Sequence, residues 1–265
     1  MRILITNDDG YQSPGIRALY DALNELPDTE VIVAAPDRER SAVALSITLH
    51  DPLRAFPLDH TGMKGWSIDG TPADCVKLAI SELLKDNLPD VVFSGINRGS
   101  NVGLNANYSG TVAGAIEGAM NGLPAVAVSL ASYTFEDFSG AIKAAKFVLD
   151  RIAGYQPEGY EVLNVNVPPV PADELKGIRV TPVSHVVYRE VVSSRLDAHE
   201  RPYYWLGGEL RSMAETDGGD HESVTDGYVA VTPLKIDWTS LASIDRMRAD
   251  GWQQDWMRNK ENGRG

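Results

Sequence analysis

The chain has 265 residues, 43% of them hydrophobic, which is enough to bury one large core. Its formal net charge of −13 argues against a nucleic-acid polymer or a membrane surface as partner, because both require a basic face on the protein. A single cysteine, Cys75, excludes an internal disulfide, and the sequence has neither a signal-peptide core nor an apolar run long enough to span a membrane. We therefore expect a cytoplasmic protein, in which any attraction for an anionic ligand must be local.

The first two-thirds of the sequence alternates strand and helix signals. Short apolar runs bounded by turn residues predict strands at 3–5, 30–35, 66–69, 90–93, 125–130 and 162–167. Apolar residues at helical spacing predict helices between them, at 14–26, 72–83, 111–120 and 135–152. Strands interleaved with helices indicate an α/β fold, with a doubly wound, mostly parallel, Rossmann-like sheet.

The last third of the sequence differs in character. From Gly177 to Gly227, β-branched runs and an aromatic cluster predict antiparallel hairpins, without a helix between them. A strand at 228–232, ended by Pro233, and a final helix at about 240–257 follow. The predicted organisation is one domain, 1–265, with an α/β core that carries the active site at 1–170, a projecting β-hairpin arm at 176–227, and a last strand and C-terminal helix at 228–258.

Three polar loops follow core strands and should meet at the edge of the sheet where the strands end. The first contains two adjacent carboxylates, Asp8 and Asp9, which repel each other unless a cation lies between them. A hard divalent ion such as Mg²⁺ or Mn²⁺ prefers oxygen ligands of this kind. An acidic turn, with Gly10 at a positive φ, is an equally good interpretation of this segment alone.

The second and third loops add further polar groups. The second ends at Ser41, whose hydroxyl could bind a metal or cap a helix. The third runs from Ser94 to the helix start at Ser109, Gly110 and Thr111. Free N–H groups at a helix N-terminus bind anions readily, although Ser and Thr at this position cap a helix more often than they bind phosphate.

Five segments of the sequence resemble, in order, the motifs of the SurE (survival protein E) family of nucleotidases. They are Asn7-Asp8-Asp9-Gly10, Ala35-Pro36-Asp37 with Arg40-Ser41, Gly70-Thr71-Pro72-Ala73-Asp74-Cys75-Val76, Ser94-Gly95 with Asn97-Arg98-Gly99, and Tyr108-Ser109-Gly110-Thr111-Val112. The resemblance spans residues 1 to about 232. It implies a metal-dependent phosphomonoesterase that hydrolyses nucleoside 5′- and 3′-monophosphates, and it leaves exopolyphosphatase activity open.

The resemblance also implies roles for individual residues. One Mg²⁺ or Mn²⁺ per subunit would be held by Asp8, Asp9, Ser41 and Asn97. Of these residues, Asp8, Asp9 and Asn97 would be catalytic. The substrate would be bound by Asn7, Asn101, Ser109, Gly110 and Thr111. The segment from Gly177 to Gly208 would be an arm exchanged between the subunits of a homodimer or homotetramer.

Two departures from the family pattern concern base recognition and the arm. Ala44-Leu45 stands where many relatives have Gly-His, and residues 181–187 lack the arginines that many relatives carry there.

Whether water or Asp8 attacks phosphorus stays open, and we favour water because ligation of a metal by both acids would leave neither of them well placed as a nucleophile. The alternatives are a metal-dependent nucleotide-sugar glycosyltransferase and a receiver-type signalling module. The receiver module needs a phosphoaccepting aspartate where this strand ends in Phe93-Ser94-Gly95.

Overall fold

The structure is a computed structural model that describes residues 1–152, 155, 159–212, 218–253 and 256. The chain divides into two compact units, Met1–Leu234 and Lys235–Gly265. The strands are β1 (Arg2–Thr6), β2 (Glu30–Pro36), β3 (Ala55–Pro57), β4 (Gly65–Ile68), β5 (Val91–Arg98), β6 (Ala125–Leu130), β7 (Glu161–Val167), β8 (Ile178–Val180), β9 (Val186–Leu196), β10 (Pro202–Ser212) and β11 (Val229–Lys235). The α-helices are α1 (Pro14–Asn24), α2 (Pro72–Leu78), α3 (Gly110–Met120), α4 (Ser139–Ile152), α5 (Asp220–Thr225) and α6 (Leu241–Ala249).

The first unit is built on a nine-stranded sheet with the order β3-β4-β2-β1-β5-β6-β7-β11-β8. β1 pairs in parallel with both β2 and β5, and among the pairs of this nine-stranded sheet whose register the structure describes, only β3 with β4 is antiparallel. The predicted doubly wound, mostly parallel sheet is confirmed. The strand order reverses between β1 and β5, and the carboxyl ends of these two strands form the crevice where ligands bind in open α/β sheets.

Local sequence explains where the helices begin and how closely they approach the sheet. Ser13 caps α1 by accepting a hydrogen bond from the Ile16 amide, with Pro14 in the first turn as predicted. α3 packs almost directly on β1 and β5, since a Cβ at Gly114 would lie 2.7 Å from Thr6 Cγ2 and 2.9 Å from Ser94 Oγ. The small residues of this helix therefore bring its N-terminus close to the carboxyl ends of those strands.

Several predicted boundaries are wrong. β5 does not end at Phe93 but continues to Arg98. α4 begins at Ser139, α2 ends at Leu78 and continues as a wide π-type turn, and β11 continues past Pro233. Pro233 is tolerated in β11 because the pairing with β8 runs only as far as Val231, so its missing N–H is not needed on that side.

The predicted hairpin is confirmed, with β9 and β10 paired antiparallel from Val186 opposite Ser212 to Leu196 opposite Pro202. Among the other described residues of 176–227, β8 joins the main sheet and α5 is a short helix that the sequence did not predict. In the second unit α6 begins after Ser240, and residues 254, 255 and 257 of the predicted helix lie outside the described residues. Within the described part of the chain, no helix is both long and apolar enough to cross a membrane.

Candidate active site

The first loop forms a tight turn at the end of β1. The Asn7 side-chain amide donates to the Gly10 carbonyl and to Ser13 Oγ, both at 2.9 Å, and so ties the turn to the start of α1. Gly10 has a φ of +90°, and a Cβ there would lie 3.0 Å from the Arg38 carbonyl carbon. Glycine is required at this position, and the first two loops are in contact through it.

Asp8 lies buried where all three loops meet. Its Oδ1 accepts a 2.6 Å hydrogen bond from Thr111 Oγ1, and its backbone carbonyl accepts one of 2.7 Å from the Arg40 amide. A Cβ at Gly110 would lie 2.8 Å from Asp8 Cβ, so the first turn of α3 rests directly against this carboxylate. The expectation that the three loops share one edge of the sheet is confirmed.

Burial and crowding destabilise the ionised form of both acids. Burial raises the pKa of Asp8 from 3.8 to about 6; the hydrogen bond from Thr111 opposes this rise, and the charges of Asp9 and Glu39 add to it. Burial also raises the pKa of Asp9, against the hydrogen bond from the Arg98 amide, while Glu39 again adds to the rise. Glu39, which the sequence analysis passed over, is therefore a third negative group close to the pair.

The third loop contributes Asn97, which lies on the extended part of β5. Its side-chain Nδ2 donates to the Gly99 carbonyl at 2.8 Å, which leaves the side-chain oxygen as its free acceptor. The adjacent Arg98 amide donates to Asp9 Oδ2 at 3.3 Å, so Asn97 and Asp9 lie side by side across the β1–β5 boundary. The register of β5 against β6 shifts between Gly95 and Asn97, and an irregularity of this kind changes the direction of the strand and of the side chains at its end.

Asn101 is held in place by two asparagines of β7 that the sequence analysis missed. The Asn101 amide donates to Asn166 Oδ1, and its carbonyl accepts from the side chains of Asn164 and Asn166. Its own side chain donates to Ser129 Oγ at 2.8 Å and to Thr111 Oγ1 at 3.4 Å. Two asparagines alternating with valine at the carboxyl half of a buried strand were the signal in the sequence.

Ser41 is the predicted ligand whose hydroxyl is engaged elsewhere. Its Oγ donates to Glu39 Oε1 at 2.7 Å, and the side chain is exposed. Its neighbour Arg40 is bonded through its amide to the Asp8 carbonyl, so the backbone of this loop does reach the site. The following loop carries two alanines at positive φ, Ala42 at +56° and Ala44 at +50°. Glycine is the residue that this conformation favours.

The start of α3 offers N–H groups to an anion. Ser109 is the N-cap, with its Oγ accepting from the Val112 amide at 3.1 Å and its carbonyl accepting from the Ala113 amide. The preceding amides of Gly110 and Thr111 have no acceptor in the described part of the chain. These two amides lie at the positive end of the helix dipole, close to Asp8, and are available to an anion.

The donor set fits a hard divalent cation. No group of three or more His, Cys, Asp or Glu residues that could hold a metal ion occurs among the described residues. The site instead has two carboxylates, Asp8 and Asp9, and the amide oxygen of Asn97, and Mg²⁺ is commonly held by one or two carboxylates with the remaining positions filled by water. The charges of Asp9 and Glu39 raise the pKa of Asp8, and the charge of Glu39 raises the pKa of Asp9 against the opposing charge of Arg98, so the negative charge gathered at this point favours a bound cation.

Comparisons with known proteins show similarity over most of the chain. A family model described as "Survival protein SurE" matches residues 3–190. Among curated proteins, "5'-nucleotidase SurE" of Desulforudis audaxviator is 42% identical over 97% of this chain and 99% of its own length. The protein of the same name from Pelotomaculum thermopropionicum is 45% identical over 94% of both chains.

The fold is also similar to a solved structure. The crystal structure of the SurE protein from Aquifex aeolicus superposes with a TM-score of 0.80 and 37% sequence identity. The match covers 96% of this chain and 100% of that chain. The similarity is therefore not limited to the sheet.

Proposed function

Since the chain belongs to the SurE family, we propose that it is a metal-dependent nucleotidase that hydrolyses nucleoside 5′- and 3′-monophosphates to a nucleoside and inorganic phosphate. One observation supports this activity most directly: the first turn of α3 rests on the Asp8 carboxylate, with Thr111 Oγ1 2.6 Å from Asp8 Oδ1. A phosphoryl group bound to the helix start would therefore lie beside a metal held by the aspartates.

One Mg²⁺ or Mn²⁺ per subunit would be held by the oxygens of Asp8, Asp9 and Asn97. Ser41 is the fourth proposed ligand, and its hydroxyl would have to exchange Glu39 for the metal. The chemistry that such an ion supplies is that of a Lewis acid, which neutralises phosphate charge and lowers the pKa of water. Because the donors are all oxygen, their ligand type suits Mg²⁺ or Mn²⁺.

The residues of the chain then bind and orient the ester. The amides of Gly110 and Thr111 hold phosphoryl oxygens and stabilise the negative charge that develops on them. Thr111 fixes one oxygen of Asp8 by a hydrogen bond, so that this carboxylate is oriented as a ligand and is poorly placed to attack phosphorus. Water is therefore the nucleophile that we propose. Asn7 and Asn101 support the proposed phosphate-binding position by holding the first and third loops in place.

The two alternatives raised by the sequence have no support. The relatives named above are nucleotidases by name, and neither is a glycosyltransferase or a signalling receiver. In the receiver fold, the phosphoaccepting aspartate would end a central strand, whereas β5 ends in Asn97 and Arg98.

Phosphate release measured on 5′- and 3′-nucleoside monophosphates and on polyphosphate tests the proposal. Activity should vanish in excess chelator and return with Mn²⁺ or Mg²⁺. Asp8→Asn and Asp9→Asn should each lower turnover by roughly 100-fold or more, because each removes a proposed metal ligand. Asp173→Asn, which neutralises an exposed carboxylate, is the matched control. Full activity of the parent protein in chelator would refute metal dependence.

We also propose a cytoplasmic homodimer or homotetramer in which the hairpin β9–β10 is exchanged between subunits. Large apolar side chains are exposed on this hairpin, with Trp205 62% and Leu206 77% accessible. An isolated two-stranded hairpin is marginally stable in water, and a second subunit would cover these side chains. The single cysteine, Cys75, is buried and cannot form an internal disulfide, which suits a reducing compartment.

A further inference from the structure

Asp220 is a fully buried carboxylate that the mechanism above does not use. It lies at the start of α5 and accepts hydrogen bonds from three backbone amides. The Gly103 amide lies 3.1 and 3.0 Å from its two oxygens, the Ser184 amide 2.9 Å from Oδ1, and the His221 amide 2.8 Å from Oδ1. A buried carboxylate is tolerated only where such donors satisfy it, so these contacts fix the backbone that supplies them.

The amides bonded to Asp220 come from parts of the chain far apart in sequence. Ser184 lies just before β9, at the entrance to the hairpin, and the Asp220 amide itself donates to the Pro182 carbonyl at 3.1 Å. Gly103 begins a 3₁₀ helix, Gly103–Tyr108, that ends directly before the cap of α3. One side chain therefore joins the base of the hairpin to the segment between Asn101 and Ser109.

Gly103 shows how closely the two segments are packed. It has a φ of +61°, and a Cβ there would collide with the side chain of Val186 and lie 2.7 Å from the Val186 carbonyl oxygen. Only glycine permits this approach. The hairpin base and the third loop thus form one packed unit, with Asp220 as the buried acceptor between them.

A continuous series of contacts leads from this unit to the site. Asn101, two residues before Gly103, has its side-chain amide 3.4 Å from Thr111 Oγ1. Thr111 in turn donates to Asp8 Oδ1 at 2.6 Å. A shift of the Gly103 backbone would therefore move Asn101 and the donors around the proposed phosphate position.

We propose that Asp220 is a positioning residue for substrate binding, which fixes the third loop against the base of the hairpin. This role rests on the proposed nucleotidase function. This role couples phosphate binding to the order of the hairpin base, and such a coupling is reciprocal. A phosphate group held at the start of α3 should stabilise the hairpin base, and ordering of the hairpin base should favour phosphate binding.

Steady-state kinetics of Asp220→Asn with a nucleoside monophosphate and saturating Mn²⁺ test this role. Asparagine keeps the size of the side chain but turns an NH₂ group toward a backbone N–H, so the KM should rise roughly tenfold while kcat stays within about threefold. Asp226→Asn is the control, because it neutralises an exposed carboxylate at the end of the same helix. Its KM should stay within about twofold of the parent value.

The outcomes separate the two proposals. An active Asp220→Asn protein with the parental KM would overturn the positioning role, whatever its thermal stability, and leave the nucleotidase function standing. A parent protein that releases no phosphate from any nucleotide would refute the nucleotidase function itself.

Amide hydrogen exchange on the parent protein gives a test that does not depend on a variant. Inorganic phosphate with Mn²⁺ should slow exchange at the Gly103 and Ser184 amides, whereas the Val192 and Leu206 amides in the middle of the hairpin should be unaffected. Unchanged exchange at both Gly103 and Ser184 under saturating phosphate would overturn the proposal.

Discussion

Asp8→Asn should make the metal-free protein more stable at neutral and alkaline pH, although it removes a residue of the site. Burial is the main reason that the pKa of Asp8 rises from 3.8 to about 6. At 1.36 kcal/mol for each pKa unit, keeping this carboxylate ionised in the folded state costs about 3 kcal/mol. Asparagine retains an oxygen that can accept the hydrogen bond from Thr111 and carries no charge to bury.

The pH dependence distinguishes this mechanism from a general change in packing. Because the folded-state pKa lies above the unfolded-state value, the folded protein binds the additional proton, and stability falls as the pH rises from about 4 to about 6. Above that window the full penalty is present. The gain from Asp8→Asn should therefore be near zero at about pH 4 and reach its maximum, about 3 kcal/mol, above about pH 7.

Urea unfolding in excess chelator, at fixed protein concentration and at several pH values, measures this gain. Asp173→Asn, an exposed acid, should change stability little at any of these pH values. Saturating Mn²⁺ should reverse the order of parent and Asp8→Asn, because only the parent retains both carboxylates for the metal. A variant that is less stable than the parent in chelator at pH 8, or a gain that does not change with pH, would refute the reasoning.

Three further predictions concern the helix start and the hairpin. Gly110→Ala should lower kcat/KM by roughly 10- to 100-fold in a folded protein, because its Cβ would lie 2.8 Å from Asp8 Cβ. Gly207→Ala is the control, because its Cβ would meet only the Val191 carbonyl oxygen, at 3.7 Å. Thr111→Val should lower kcat/KM about tenfold, because it removes the hydroxyl that orients Asp8. Thr111→Ser keeps a hydroxyl and should retain the parental kcat/KM. A valine variant with parental kinetics would contradict the orienting role of Thr111. Sedimentation at sub-micromolar concentration should show a dimer or tetramer, and a folded, active monomer would contradict exchange of the hairpin.

The sequence predicted the parts of the fold that depend on local pattern. Apolar runs ended by polar loops located the inner strands, and Ser13-Pro14 located the start of α1. The adjacent acids and the Ser109–Thr111 helix start were also local signals, and the topology of a parallel sheet was sufficient to bring them together. This is why Asp8 and Thr111, 103 positions apart, could be expected to meet.

What the sequence did not reveal depends on partners far away in the chain. β5 continues through Asn97 because its backbone stays paired with Ser129 and Leu130 of β6, so the end of its apolar run did not mark the end of the strand. The roles of Asn166 and Asp220 rest on backbone amides that are 65 and 117 positions away. No local pattern predicts which amide a buried acceptor will meet.

The net charge of −13 and the proposed phosphate substrate are compatible only because the attraction is local. Asp8, Asp9 and Glu39 together repel an anion, and the two amides at the start of α3 offset this only in part. A divalent cation held by the aspartates would offset most of this negative charge where the phosphoryl group would bind, and helix dipole and ion would then act in the same direction. The acidic cluster that destabilises the metal-free protein is, by this reasoning, the same feature that makes phosphate binding depend on the metal.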